Sequence, residues 1–321
     1  MKKIIALVLI LSSLYADGLP NPSARAETQL NTIDFFAKAL YWYPSESLDW
    51  AFTLTATPNS VDSTFKSFVF DWAPGFTVGF GYNMDYDQWD THASYTWFTS
   101  KASDHTSGPV TSAFLGARTS LLELVELFTT GKARINLLYN MFDIDLGRNF
   151  FVSDCLSLRP SIGIKGGWIT QHIHSYWTMT NLDITATEEL TQHFQGGGPK
   201  GGIAGKWYLA SYQNHSFSLM SQFETGYLWG HWSIHDAFID NLNTIVFVKT
   251  TPRNYGALVL HTFLGLGWDC NLNCDQSHIA FQIGYEIEDW FNHLQIFTNS
   301  SGSQINDLIL QGFNFGLNVD F

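Results

Sequence analysis

"FNFGLNVDF", residues 313–321, closes the chain, and its pattern decides the fold. Phe313, Phe315, Leu317, Val319 and Phe321 alternate with Asn314, Gly316, Asn318 and Asp320 up to the last residue. A period of two marks a β-strand with two unlike faces, because successive side chains point to opposite sides of the pleat. Chain ends usually fray and are polar, so a terminus with one wholly apolar face needs a reason to stay ordered. A sheet surrounded by hydrocarbon supplies one. Every backbone N–H and C=O must be paired within it, no edge can be left open, and the last strand has to bond to the first.

The same alternation runs back through the chain. Phe76, Val78, Phe80, Tyr82 and Met84 are set against Thr77, Gly79, Gly81 and Asn83, and Trp89, Thr91, Ala93, Tyr95 and Trp97 against Asp90, His92, Ser94 and Thr96. Residues 133–141, 158–168, 217–229, 258–268 and 279–287 repeat the pattern. None is followed by a helix at βαβ spacing, so the class is all-β, antiparallel and single-domain. A soluble sandwich also buries one face of each strand, and three features separate the two. The runs exceed the 5–6 residues or so typical of soluble strands and reach the roughly 9–11 a membrane strand needs. Aromatics gather at strand ends, at Tyr41 to Tyr43, Trp89, Trp97, Trp229, Trp232, Trp268 and Trp290, where interfacial girdles lie.

Third, short and long connections alternate. Residues 83–87, 148–155, 213–215 and 269–276 are short; 44–65, 100–132, 172–200, 231–253 and 292–306 are long. Outer-membrane barrels have short periplasmic turns and long outer loops. The expectation is a single antiparallel transmembrane β-barrel of ten strands with both termini in the periplasm. The count rises to twelve or fourteen if "YWTMTNLDI" (176–184) or "LDWAFTLT" (48–55) adds a hairpin.

The N-terminus agrees. "MKKIIALVLILSSLYA" places Lys2 and Lys3 before an uncharged apolar run that ends at Ala16, the layout of a secretory signal peptide. A spanning helix needs about 20 apolar residues, and this run stops at Asp17. Cleavage is expected after Ala16, with "ARA" at Ala24 to Ala26 as a second small-residue site. Residues 1–16 are then the signal peptide, 17–33 a periplasmic segment and 34–321 the barrel.

Composition narrows the partners. Charged residues are 14% and aromatic residues 16% of the chain, and 29 Asp+Glu face 16 Lys+Arg. Such an acidic balance argues against nucleic acid or anionic lipid as the main partner and leaves neutral, cationic or lipidic ones. The lipid of the outer membrane and small polar solutes or ions fit, and a homo-oligomer stays open. Cys270 and Cys274, in "WDCNLNCDQ", could clip a small loop by a disulfide, leaving Cys155 unpaired or joined to another chain. Without a CxxC pair, a metal site is the weaker reading.

Catalytic signatures are scarce. No GxSxG elbow and no HExxH helix occurs, and "GGGPKGGIAGKW" lacks the spacing of a phosphate-binding loop. His172 and His174 share a strand face, and "HWSIHD" holds His231, His235 and Asp236. These could form an acid–base or metal cluster if the loops converge; the plainer reading is polar rim histidines. No cofactor and no enzymatic activity are expected. "LLELVELF" (121–128) has helical period and suggests a loop helix over the lumen or on the rim.

With the apolar parity of each strand taken as lipid-facing, Arg134, Arg159, Lys165 and Lys206 point inward from three consecutive strands, and Glu224, Glu286 and Glu288 from strands further round. Opposed charges would set a transverse field across a water-filled pore. They could equally neutralise one another in a filled interior, since about eight strands are filled by side chains.

"YWYPSE", "GFTVGFGYNMDYDQWD", "SYTWF", "DIDLGRNF", "LRPSIGIKGGWITQ" and "GGGPKGGIAGKWYL", in this order and ahead of the terminal Phe, resemble the Legionella-type major outer membrane protein family. The resemblance implies an outer-membrane barrel that forms a pore for passive diffusion of ions and small solutes. The terminal aromatic strand, Phe313 to Phe321, resembles the signal that such barrels present to the barrel-assembly machinery. The rival expectations are an adhesin or structural barrel acting through its loops, and a hydrolase acting at its rim.

Overall fold

The computed structural model describes residues 32–57, 60–84, 87–119, 127–212, 214–250, 252–272, 277–298 and 302–320. The described elements are β1 (Thr32–Ser45), β2 (Asp49–Thr57), β3 (Ser60–Ser67), β4 (Ala73–Asn83), β5 (Trp89–Ser112), α1 (Leu115–Thr119), β6 (Phe128–Arg148), β7 (Phe150–Ser153), β8 (Leu156–Met179), β9 (Ile184–Tyr212), β10 (His215–Asp240), β11 (Ile245–Lys249), β12 (Arg253–Leu272), β13 (Ser277–Thr298) and β14 (Gly302–Asp320). Ten of the strands close into an antiparallel barrel in the order β1, β4, β5, β6, β8, β9, β10, β12, β13, β14. The seam is made by β14 against β1, Asp320 opposite Asp34 and Phe313 opposite Tyr41. The terminal strand is therefore a closing strand, with Phe313, Phe315 and Leu317 exposed on the outer face and Asn314 buried on the inner one.

The four other strands do not add barrel staves. β2 and β3 form a hairpin in the first long connection and lean on β5, β11 pairs with the end of β10, and β7 pairs with β8 in a short connection. "LDWAFTLT" thus does build a hairpin, but outside the barrel ring.

The strands are longer than the sequence pattern suggests. β9 has 29 residues and β10 has 26, well over twice the roughly 9–11 that cross a bilayer. Much of what reads as long loop is strand: β5 runs on to Ser112, β6 begins at Phe128, and β8 and β9 are joined by residues 180–183 alone. Asp183, at φ 52°, takes the left-handed conformation that closes this turn. Beyond the lipid the sheet survives because its inner face is apolar and packed.

The lipid band is read from outward apolar side chains: Phe80, Phe142, Ile144, Ile162, Ile164, Phe223, Leu264, Ile283 and Phe315 are all exposed. At its long-loop border Trp72 stacks on Tyr41 and on Phe313, with ring centroids 5.4 and 6.0 Å apart. No described helix is long and apolar enough to cross a membrane.

Residues 1–16 and most of 17–33 lie outside the described residues, as do Cys274 and Phe321. The expected helix at 121–128 is also mostly outside them. Its described end, Phe128, opens β6, and the described helix is α1, just before it.

Candidate functional site

The interior is divided across its height. In the half nearer the short turns it is lined by charge, and the pairing is dense. Arg159 of β8 donates to Asp90 from Nε at 2.8 Å and to Asp145 from Nη2 at 2.6 Å. Lys165 lies 3.4 Å from Asp143 on the adjacent strand and 3.2 Å from Glu288 across the lumen. Lys200, which shares the inward parity of Lys206 on β9 but falls within 172–200, a stretch that reads as a long connection in the sequence, reaches Asp143 at 3.1 Å, Asp145 at 3.5 Å and Glu224 at 3.6 Å. Lys206 donates to Asp269 at 2.7 Å, and His261 is 3.4 Å from Glu286. Arg159, Lys165, Lys206, Glu224, Glu286 and Glu288 therefore share one interior. The signs interleave through Asp90, Asp143, Asp145 and Asp269 and do not occupy opposite walls. Each of these four aspartates sits on the inner parity of its strand, so the pattern that located the lysines could also have located them.

Arg134 requires a correction. It is exposed on the outer face of β6, and its neighbours Ala133 and Ile135 are buried on the inner one. The strand keeps its parity throughout, but the side that is apolar changes: Ile135, Leu137, Tyr139 and Met141 face in, whereas Phe142, Ile144 and Leu146 face out. Taking the apolar parity of 133–141 as lipid-facing reverses Arg134.

Above the charged half comes an aromatic core. Two carboxylates stitch the layers together. Glu286 accepts from Trp42 Nε1 at 2.9 Å and Asn314 Nδ2 at 2.8 Å; Glu288 accepts from Tyr139 Oη at 2.5 Å and Trp290 Nε1 at 2.7 Å. Trp50, Phe98, Phe128, Ile135, Trp177, Phe194 and Phe238 are each 0% exposed. Trp177 packs between Trp50 and Phe128 at 5.5 and 5.3 Å, and Phe194 lies on Trp232 at 4.4 Å. Gly230 is required beneath Phe194, because a Cβ there would collide with its ring. One polar island is embedded in this core: Gln192 donates to Gln171 at 3.0 Å and to the His293 carbonyl at 3.1 Å, Gln171 donates to Glu46, and His293 Nδ1 lies 3.6 Å from Glu46.

At the long-loop end, α1 is tied down by two buried carboxylates. Gly116 N–H donates to Asp236 at 2.6 Å, Ala117 N–H to Glu188 at 2.7 Å, and Ser112 Oγ to Glu188 at 2.6 Å. Burial pushes the Asp236 carboxyl up to about 6, against the opposing pull of the backbone donors.

Among the described residues, the main cavities lie in the charged half. A cavity of about 770 Å³ reaches the short-turn end past Gln88, Asn149, Asn214 and Asn271, and one of about 270 Å³ lies among Asp143, Lys165, Lys200 and Glu286.

The histidines singled out by sequence do not converge with Asp236. His172, His174, His231 and His235 are on the outer face of β8 and β10, while Asp236 is buried on the inner face. Among the described residues, Asp90, His92 and Asp145 are close enough to share a metal ion, but the Arg159 guanidinium bonds both aspartates and already supplies the positive charge. Cys155 and Cys270 are far apart in the chain, and the expected partner of Cys270, Cys274, is outside the described residues.

Among solved structures the chain is similar to the outer membrane protease OmpT from Escherichia coli, at 10% identity over 92% of this chain and 99% of that one, TM-score 0.41. It is also similar to a major outer membrane protein from Thermus thermophilus, at 10% identity over 91% of this chain and 100% of that one, TM-score 0.32. The toluene transporter TbuX of Ralstonia pickettii aligns at 10% identity over 94% and 91% of the two chains, TM-score 0.38. No curated protein matches the chain. The family model described as "Legionella pneumophila major outer membrane protein precursor" matches residues 27–321, from just before β1 to the last residue. A closed ten-strand barrel with a lipid-facing band, matched to this model over nearly its whole length, belongs to the Legionella major outer membrane protein family and is an outer-membrane β-barrel.

Proposed function

We propose that this barrel is closed to free diffusion and works as a structural or adhesive protein of the outer membrane, through the part of the sheet that stands beyond the lipid on the long-loop side. The observation that carries this reading is the aromatic core: Trp42, Trp50, Phe98, Tyr139, Trp177, Phe194, Trp232 and Trp290 are buried across the long-loop half of the lumen, each at 3% exposure or less. Interiors of this density admit no water-sized path, and a barrel of ten strands is near the size that side chains fill. Below the core, the charges are spent on one another, as expected of a packed interior and not of a selectivity lining.

The second reading is the pore for ions and small polar solutes. One observation favours it, the cavity of about 770 Å³ open at the short-turn end and edged by Arg159, Lys206 and Asp269. For solute to pass, the core above that cavity would have to open. A rim hydrolase has less support, because the outer-face histidines are separated by the sheet from Asp236. The protein is read here as non-catalytic. Planar-bilayer recording on refolded protein separates the first two readings: silence supports the closed barrel, and steady single-channel steps support the pore.

A further inference from the structure

The outer face above the lipid band carries a charge that the chain as a whole does not. Trp97, Asn140 and Trp168 stand in register across β5, β6 and β8, and tryptophans in such a row mark the membrane interface. The rows beyond them, away from the lipid, are Thr99–Leu138–Thr170, then Lys101–Asn136–His172, then Ser103–Arg134–His174, then His105–Lys132–Tyr176. The ladder continues sideways: His172 is opposite Thr191, which is opposite His235, which is opposite Lys249 on β11. His193 and His231 lie on the same face of β9 and β10. At about 3.3 Å per residue, the first cationic row begins about 13 Å along the strands past the tryptophans, where headgroups replace acyl chains.

Among the described residues of this arc the fixed charges are Lys101, Lys132, Arg134 and Lys249, against the single outward carboxylate Glu189, in a chain whose formal net charge is −13. Among the described residues, none of the four cations has a carboxylate within 4.0 Å; His174 is the group that faces Glu189, at 3.6 Å. The other side of the barrel is opposite in sign, with Asp289 and Asp307 on β13 and β14. Such an arrangement does not stabilise the fold, since unpaired exposed cations in neighbouring rows repel.

We propose that the outer face of β5, β6, β8, β9, β10 and β11 is a docking surface for the phosphorylated sugar headgroup of an outer-leaflet glycolipid. Arg134 supplies a planar fork for bidentate phosphate contact and the lysines supply point charges. Thr170, Thr191 and the imidazoles of His172, His174 and His235 supply hydrogen bonds to phosphate and hydroxyl oxygens. The flanking lipid band holds the acyl chains against Phe142, Ile144 and Leu146. The overall acidity of the chain argues against anionic lipid as a general partner; this arc is the local exception.

The test uses the refolded protein in detergent micelles, titrated with a phosphorylated deep-rough lipopolysaccharide and with the same material after chemical dephosphorylation. The phosphorylated form should raise the melting midpoint saturably. The dephosphorylated form, and the variant K101Q/K132Q/R134Q/K249Q with the phosphorylated form, should each require about tenfold more glycolipid or give no rise. A variant of the opposite side, D289N/D307N, should respond as the native protein does. If the fourfold variant fails to refold, K132Q/R134Q, both at exposed positions of β6, takes its place. Equal responses to the two glycolipids, or an undiminished response of the charge variants, would overturn the proposal. So would a change in the mass of the protein–detergent particle on charge removal without a change in lipid response, which would make the arc a contact between copies of the chain.

Discussion

Lys165 shows at a single position what kind of interior this is. Its ammonium sits between Asp143 and Glu288, and Glu288 also accepts from Tyr139 and Trp290 at the floor of the aromatic core. Removing one member of a buried, hydrogen-bonded charge set leaves the rest uncompensated, at a cost of about 3–5 kcal/mol. Lys165→Gln should therefore lower the unfolding midpoint in a heat or urea titration, and Lys165→Gln with Glu288→Gln should recover part of the loss, as coupled neighbours do. In an aqueous pore lining, the same substitution would leave the midpoint where it was. Asp236 gives a second test at this scale. Its carboxyl, held by burial at about 6 against the ordinary 3.8, binds a proton more tightly in the folded state than in the unfolded one. The stability it contributes is complete below about 3.8 and lost as pH rises through about 6, so acidification from about 7 to about 5 should tighten the long-loop end by on the order of 1 kcal/mol. Asp236→Asn should flatten that part of the pH profile; an unaltered profile would assign the proton to another group.

At the scale of the strand, period-two alternation locates the barrel strands and the closing role of β14, because any sheet with two unlike faces must show it. What it does not reveal is which face is apolar at each height. Along β6 the apolar set passes from the odd residues Ile135 to Met141 to the even residues Phe142 to Leu146, and along β10 from the odd Phe223, Tyr227 and Trp229 to the even Trp232, Ile234 and Phe238. Hydrocarbon rewards apolar groups outside, while beyond it water does the reverse and the same strand turns its apolar side in. The adjacent pairs Met141–Phe142 and Leu228–Trp229 are the trace of that switch in the sequence. Read as interruptions of the pattern, they put Arg134 inside and turn the strand extensions into loops. The lipid-facing part of β14 supplies a prediction. Phe315, opposite Ala39 on β1 and Ile283 on β13, lies within the apolar run, so Phe315→Lys should destabilise the barrel by about 2–4 kcal/mol. Refolding yield into vesicles and the urea midpoint would both report it, and a midpoint equal to that of the native protein would remove β14 from the lipid contact. Assembly in the cell should fall likewise when Phe321 is deleted, with the outer-membrane level of the heat-modifiable protein as the readout.

For the molecule as a whole, the orientation follows from the asymmetry of its ends: short connections at 213–214 and 273–276, and a sheet rising past the lipid on the other side. In a background with the native cysteines replaced by Ser, a membrane-impermeant thiol reagent on intact cells should label Ser107→Cys and leave Asn214→Cys unlabelled. Labelling of the latter alone would invert the molecule. What composition could not convey is how the lumen is filled, because inward tryptophans and inward lysines both satisfy alternation, and only their stacking by height separates a core from a lining. The central claim is that the aromatic half closes the barrel. It is tested most directly by single-channel recording of the refolded native protein in planar bilayers, beside a variant in which Trp50, Phe194 and Trp290 are replaced by Ala. The account predicts no conductance from the native protein and the appearance of conductance steps once the core is removed. Steady, ohmic steps from the native protein would contradict it.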